Sequence, residues 1–357
     1  MRNRIIYANE GVFTGPAFKD GVTYASDIQT PNLTRLQSVD YDFNIDREKS
    51  HTLGNKSILS YKTNKHPSVN LNLNYYSSSV TNENLLGFNV SDKDGVFLGD
   101  ILDTGNADHY QKNFYLITAE EGVDFNGNSD YSLLENVTYY SDCYLQSYTY
   151  EVSVGDLPSS TVTYVGENAG FIQLSESATT SQPANIPILN KKNSNVLSNK
   201  SVNIPTGQQV YENTLIPAQA TVEISTSSSL ASGILNLENE KMTSFNITLN
   251  VEREEVNLLG HKIPQDRKIK YPLGGEASIK MICDDKAAGD LNAFIKEDAK
   301  YNVTTTFKND SNQDVLIWNI REAMFSSISY SESIGSNKTT ELGLIFDGLD
   351  IGVSGVT

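Results

Sequence analysis

Leu36–Gly54, LQSVDYDFNIDREKSHTLG, lies over Met242–Gly260, MTSFNITLNVEREEVNLLG, without a gap at a constant shift of 206 (244 − 38). Ser38, Asn44, Arg47, Glu48, Leu53 and Gly54 recur as Ser244, Asn250, Arg253, Glu254, Leu259 and Gly260, and Asp46 becomes Glu252. Val39, Tyr41, Phe43 and Ile45 alternate with Asp40, Asp42, Asn44 and Asp46, and Phe245, Ile247, Leu249 and Val251 alternate with Asn246, Thr248, Asn250 and Glu252. Successive side chains of a strand point to opposite faces, so each stretch reads as a strand with one dry side.

The pattern extends outward from both copies. Val69, Leu71, Leu73 and Tyr75 alternate with Asn70, Asn72 and Asn74, and the first three meet Ala277, Ile279 and Met281 at a shift of 208 (277 − 69). A second block, Cys143–Val165, lies over Ala323–Ile345 at a shift of 180 (323 − 143), with Ser147, Tyr150, Ser153 and Gly155 recurring as Ser327, Tyr330, Ser333 and Gly335. Further strands are expected at Asn113–Thr118, Asn136–Tyr140, Tyr144–Val154 and Ser160–Val165, then at Asn302–Lys308, Val315–Asn319, Met324–Ile334 and Glu341–Phe346. Gly155-Asp156-Leu157-Pro158 supplies a turn, because Gly accepts positive φ and Pro fixes its own. Asp285–Glu297 reads as a short helix, with Leu291, Phe294 and Ile295 on one face, and Thr81–Phe88 as its weaker counterpart.

Matches in the same order in both halves decide the architecture. The expected fold class is all-β with one or two short helices: two tandem β-sandwich or partial-barrel folds related by internal duplication. Residues 1–175 form the first domain, 176–220 a Ser/Asn/Thr/Pro-rich linker or decorating loop, and 221–357 the second. Arg47-Glu48 and Arg253-Glu254 sit where a strand ends and the chain turns. An exposed ion pair contributes under about 1 kcal/mol, and the survival of the dipeptide in both halves favours an interface role.

The chain has 357 residues, with 27 Lys and Arg against 44 Asp and Glu and a net charge of −17. No basic cluster is present to neutralise phosphate, which argues against binding DNA by charge. Cys143 and Cys283 lie in apolar strand-like stretches and read as small buried hydrophobes rather than as a disulfide or zinc framework. No run approaches the roughly 18 apolar residues of a membrane span, and the N-terminus carries no apolar signal region, so neither membrane nor secretion is expected. His51, His66, His109 and His261 are scattered, and no nucleophile, phosphate-loop or dinucleotide motif occurs. No catalytic residue, cofactor or metal is therefore assigned. Asp124, Asn126, Asn128, Asp130 and Glu135 have the spacing of a calcium loop, but Ser129 stands where such a loop wants Gly, and the stretch reads as a turn.

Gln37–Gly54, Asn113–Ile117 and Ser153–Pro158, taken in order with Tyr330–Asn337, resemble the bacteriophage major tail tube proteins. The resemblance spans most of the chain except Glu167–Ala220 and carries two tube folds where one is usual. It implies a non-enzymatic virion protein, assembled in the host cytoplasm, whose rings stack into a hollow tail tube that conducts DNA through an acidic lumen. Two folds per chain imply a homotrimer with pseudo-sixfold symmetry, the alternative being a homohexamer. Baseplate, terminator and possibly sheath proteins are the implied partners. Asp40, Asp42 and Asp46 are then lumen candidates. Asn55–Pro67 and His261–Pro272 take the position of a loop reaching the neighbouring ring, with Lys262, Arg267, Lys268 and Lys270 as interface candidates. The rival readings are a baseplate or hub ring, a carbohydrate-binding adhesin and a polysaccharide-degrading enzyme.

Overall fold

The computed structural model describes residues 10–16, 27–29, 31–63, 67–88, 90, 111–125, 133–173, 186–189, 196–203, 214–226, 242–259, 264, 266–282, 300–308, 311, 313–332 and 337–352. The protein is nearly all β. Its first half contains β1 (Glu10–Pro16), β2 (Asp27–Gln29), β3 (Leu36–Asn44), β4 (Glu48–Ser50), β5 (Ser60–Lys62), β6 (Ser68–Tyr76), helix α1 (Thr81–Leu86), β7 (Gln111–Ala119), β8 (Leu134–Ser153), β9 (Ser159–Gly166) and β10 (Asn168–Gln173). Next come β11 (Ile186–Leu189), β12 (Val196–Asn203) and β13 (Ala220–Thr226). The rest comprises β14 (Met242–Asn250), β15 (Arg253–Val256), β16 (Asp266–Ile269), β17 (Gly275–Ile282), β18 (Tyr301–Lys308), β19 (Asp314–Ser331), β20 (Thr339–Phe346) and β21 (Gly348–Gly352).

One antiparallel ladder runs through both halves in the order β3-β6-β9-β8-β14-β17-β20-β19. The registers repeat from half to half. β3 meets β6 with Ser38 opposite Asn74, and β14 meets β17 with Ser244 opposite Lys280, so both partners move by 206 (244 − 38, 280 − 74). β8 meets β9 and β19 meets β20 with both partners moved by 180, including one irregularity, between Leu145 and Ser147 and between Phe325 and Ser327. The hairpins β4-β5 and β15-β16 also correspond at 206, Glu48 opposite Lys62 becoming Glu254 opposite Lys268. Leu71, Leu73 and Tyr75 thus stand where Ala277, Ile279 and Met281 stand (277 − 71), which corrects the expected shift of 208 by two residues. Alternation repeats every second residue, so residue type alone does not distinguish the two registers.

β8 and β19 are each one long strand, whereas the sequence reading divides each in two. The break falls at Asp142 (φ 53°) and Glu322 (φ 52°), where the chain bends without leaving its ladder. In each half an asparagine of the neighbouring strand accepts the bent residue's backbone N–H: Asn113 Oδ1 from Asp142 at 2.9 Å, and Asn302 Oδ1 from Glu322 at 3.1 Å. Beyond the bend the first part of β8 pairs with β7 and β10, and β1 with β7. The first part of β19 pairs with β18 and β21, and β13 with β18. A bent strand serving two pairings makes the corner of a packed β structure.

The core lies between the ladder and these covering strands. Phe114 packs edge-on to Tyr164 at 4.8 Å between centroids, Phe88 to Tyr148 at 4.9 Å, and Tyr150 against Trp318 at 5.2 Å. α1 closes on Gly87, whose positive φ of 98° lets its N–H return to the carbonyl of Asn84. The turn after β8 uses Gly155 at φ 99°. Cys143 is buried, and burial first, then the charges of Asp142 and Glu167, push its thiol pKa well up. Within Glu167–Ala220, β10 belongs to the covering strands, and β11 and β12 form a small sheet with β2. Asp285–Glu297, Cys283 and the middle of the calcium-like loop lie outside the described residues.

Candidate assembly edges and conduit face

The two halves join edge to edge. β8 pairs with β14, with Val152 opposite Phe245, Tyr150 opposite Ile247 and Tyr148 opposite Leu249, all at most 4% exposed. The backbone bonds Val154 N–H to Thr243 O (2.9 Å) and Val251 N–H to Gln146 O (2.7 Å) bracket the ladder. The hairpin β15-β16 then locks onto the first half. Arg253 donates from Nε to the Leu145 carbonyl and from Nη1 to the Arg267 carbonyl, both at 3.1 Å, with its guanidinium 5.1 Å from the centre of the Tyr144 ring. Arg267 is 7% exposed and lies 3.0 Å from Glu255 and 3.8 Å from Glu167, itself 1% exposed. A buried cation between two carboxylates is held by their field, and losing it leaves a charge without its counterion.

The outer ends of the ladder have no such partner among the described residues. β3 bonds only to β6, and beyond Ala323 β19 bonds only to β20. Their side chains show it. Tyr41 is 46% exposed, Phe43 41% and Tyr330 53%, although they occupy the positions that Ile247, Leu249 and Tyr150 occupy at the internal junction. The dry side expected for Val39, Tyr41, Phe43 and Ile45 is therefore only half covered within one chain. Tyr61, Met324 and Ile345 add exposed apolar surface at the same two ends, at 57%, 38% and 42%. An edge with open N–H and C=O groups and bare apolar side chains is a template for a further strand.

The face turned away from the core is mostly polar, with Met324 and Ile345 as apolar exceptions at the β19-β20 end. It carries Asp40 and Asp42 on β3, Asn70, Asn72 and Asn74 on β6, Thr161 and Thr163 on β9, and Thr149 and Glu151 on β8. In the second half it carries Asn246 and Thr248 on β14, Glu276, Ser278 and Lys280 on β17, and Glu341 on β20. Asn74 donates to Thr161 and Thr163 to Asn72, each at 2.9 Å, so short side chains cross-brace the surface instead of reaching out from it. Such a face offers phosphate few cations and several carboxylates.

Asp40 and Asp42 thus lie on this polar face, and Asp46 is exposed just past the end of β3. Arg47, Glu48, Glu254 and Lys268 are exposed on or beside the two hairpins, and Lys270 reaches Glu252 at 3.0 Å. Arg253 is brought together with Arg267 at the internal junction, so Arg267 is not a free loop cation. Lys262 lies outside the described residues. Leu53 and Leu259 are fully exposed at corresponding points, 103% and 104%. Sequence reasoning missed Glu167 and Glu255 around Arg267. It also missed a buried acid, Glu83 on α1, whose Oε1 accepts from Tyr75 at 2.9 Å and Tyr148 at 3.0 Å. Burial raises the Glu83 pKa, and the hydrogen bonds oppose the rise in part. Nothing in the local sequence points to it, because Glu83 stands among the polar Thr81, Asn82 and Asn84.

No protein-family model matches the sequence, and no curated protein matches it. Among solved structures the chain is similar to the six-fold symmetrised baseplate of the anti-feeding prophage, at 12% identity over 38% of this chain and 94% of that one, with a TM-score of 0.30. It is similar to the SPP1 tail tube, at 10% identity over 39% and 80% of the two chains, TM-score 0.29. It is also similar to the tail of a gene transfer agent particle, computed with C6 symmetry, at 15% identity over 39% and 97%, TM-score 0.27.

Proposed function

We propose that this chain is a structural subunit of a virion tail, and specifically the ring-forming subunit of a tail tube. The observation that carries the reading is the repeated ladder: two halves with the same registers are joined β8 to β14, and the equivalent edges, β3 and the end of β19, have no further strand among the described residues. A unit that presents one edge at its head and the complementary edge at its tail makes heterologous contacts, which close into a ring when the rotation per unit allows. The halves are taken as duplicated tube folds, with residues 1–175 and 221–357 as the two folds and 176–220 between them. Three chains then supply six folds in a homotrimeric, pseudo-sixfold ring, and rings stack through the exposed hairpin tips.

The polar face lines the central hole in this reading. Its work is geometric rather than enzymatic: carboxylates repel the DNA backbone, and short Ser, Thr and Asn side chains present no cation to hold it. Other tail proteins cap and anchor the stack.

Negative-stain microscopy of the purified chain tests this. End-on views are expected to show rings or tubes with a central hole and threefold or pseudo-sixfold outline. Monodisperse particles without a hole, under conditions where the chain is folded, would overturn it. Single rings that never stack would move the assignment to a baseplate or hub.

A further inference from the structure

The internal junction is a template for a contact that the described residues of a single chain do not make. We infer that β3 and the β4-β5 hairpin of one copy dock on the end of β19 of a second copy in the register of the β8-β14 junction, with a Lys49–Asp347 ion pair replacing the buried Arg267 cluster. The inference rests on the ring reading above and adds to it the residues and the register.

The register follows from the repeat. β14 opposes β8 with Asn246 against Glu151, Thr248 against Thr149 and Asn250 against Ser147. β3 stands to β6 as β14 stands to β17, at 206, and β19 stands to β20 as β8 stands to β9, at 180. Applying both shifts places Asp40 opposite Ser331, Asp42 opposite Ser329 and Asn44 opposite Ser327 of the second copy. The core-side pairs become Tyr41 with Tyr330 and Phe43 with Ile328. Tyr41, Phe43 and Tyr330, the side chains left bare in one chain, are the ones this contact covers.

The hairpin follows the same rule. Arg253 maps to Arg47, and the Leu145 carbonyl it bonds maps to that of Phe325. Arg267 maps to Tyr61, Glu255 to Lys49 and Glu167 to Asp347, so the charges have changed partners. Inside the chain a cation on β16 bridges two carboxylates. Between copies, Lys49 on β4 faces Asp347 past an uncharged tyrosine. All three are exposed in the single chain. The contact is thus complementary in charge without the buried arginine, as suits an interface that must first exist as two wet surfaces.

Cysteine pairs read the register in the full chain. Asp42 and Ser329 correspond to Thr248 and Thr149, a pair between the bracketing backbone bonds that does not itself exchange them, where facing Cα atoms are about 4.5 Å apart and within disulfide range. Both are exposed on the polar face. The double variant Asp42→Cys/Ser329→Cys is expected to give dimers and a closed trimer on non-reducing gels after mild oxidation. Each single variant should stay monomeric, and so should the pair two residues out of register, Asp40→Cys/Ser329→Cys. Cross-linking of that shifted pair in place of the first, with rings still visible by microscopy, overturns this register and leaves the ring reading standing. Absence of both cross-links and rings overturns both. As a second arm, Lys49→Asp is expected to reduce the ring population at least fivefold at low salt, and Lys49→Asp/Asp347→Lys to restore it. An unrestored double variant overturns the ion pair.

Discussion

β3 and β14 have almost the same sequence pattern and the same register to the next strand, yet one is bare and the other is core. Ile247 is fully buried and Tyr41 is 46% exposed at the corresponding position. The difference lies in the neighbour: β14 has β8 against its free side, and β3 has nothing there among the described residues. Apolar alternation therefore specifies that a strand will have a dry face. It does not specify whether the same chain or another one dries it.

The comparison is broken most forcefully at the hairpin. Arg267→Ala is expected to lower stability by about 3–5 kcal/mol, because it removes the buried cation beside Glu167, which is 1% exposed. Tyr61→Ala, at the corresponding point of the bare hairpin, should change monomer stability by under about 0.5 kcal/mol, since Tyr61 is 57% exposed. Urea unfolding at concentrations too dilute for assembly measures both. Equal losses would mean that the two hairpins are held alike and that the cluster is ornament.

The strands themselves give the next contrast. Ile247→Ala removes a fully buried side chain opposite Tyr150 at the junction and is expected to destabilise by about 2–5 kcal/mol. Tyr41→Ala should lower stability by under about 1 kcal/mol while sharply reducing assembly, read by sedimentation. A large stability loss for Tyr41→Ala with assembly intact would show that its contact with Tyr140, at 5.3 Å between ring centres, already does for β3 what β8 does for β14.

How much of this was legible follows from the range of each interaction. The strands and the turn at Gly155 rest on period-two alternation and on local turn chemistry, and they could be read. The offset of β6 was misread by two residues, because alternation is blind to even slips. β8 and β19 were split where they bend, because a positive φ at Asp142 or Glu322 leaves no mark in an acidic residue's type. The burial of Arg267 depends on Glu167, distant in sequence and contributed by the other half. Nothing near either residue announces it. Asp40 and Asp42 are placed on the polar face by parity alone, whereas the covering of Tyr41 and Phe43 depends on a strand that the described residues do not provide.

A last and small expected effect tests whether exposed charge matters at the β15-β16 hairpin. Lys270 and Glu252 lie 3.0 Å apart, with side chains 67% and 73% exposed, so solvent screens them and their ordering costs entropy. The backbone already joins these residues, Lys270 N–H donating to the Glu252 carbonyl at 2.9 Å. The side-chain pair therefore rides on a connection that survives without it. Lys270→Ala should cost under about 1 kcal/mol, less still in high salt, and leave the buried Arg267 cluster unchanged. A loss as large as that of Arg267→Ala, insensitive to salt, would mean that the hairpin is positioned from its rim inward. The contrast between the internal and the open junction would then have to be sought in the loop tips and not in the buried arginine.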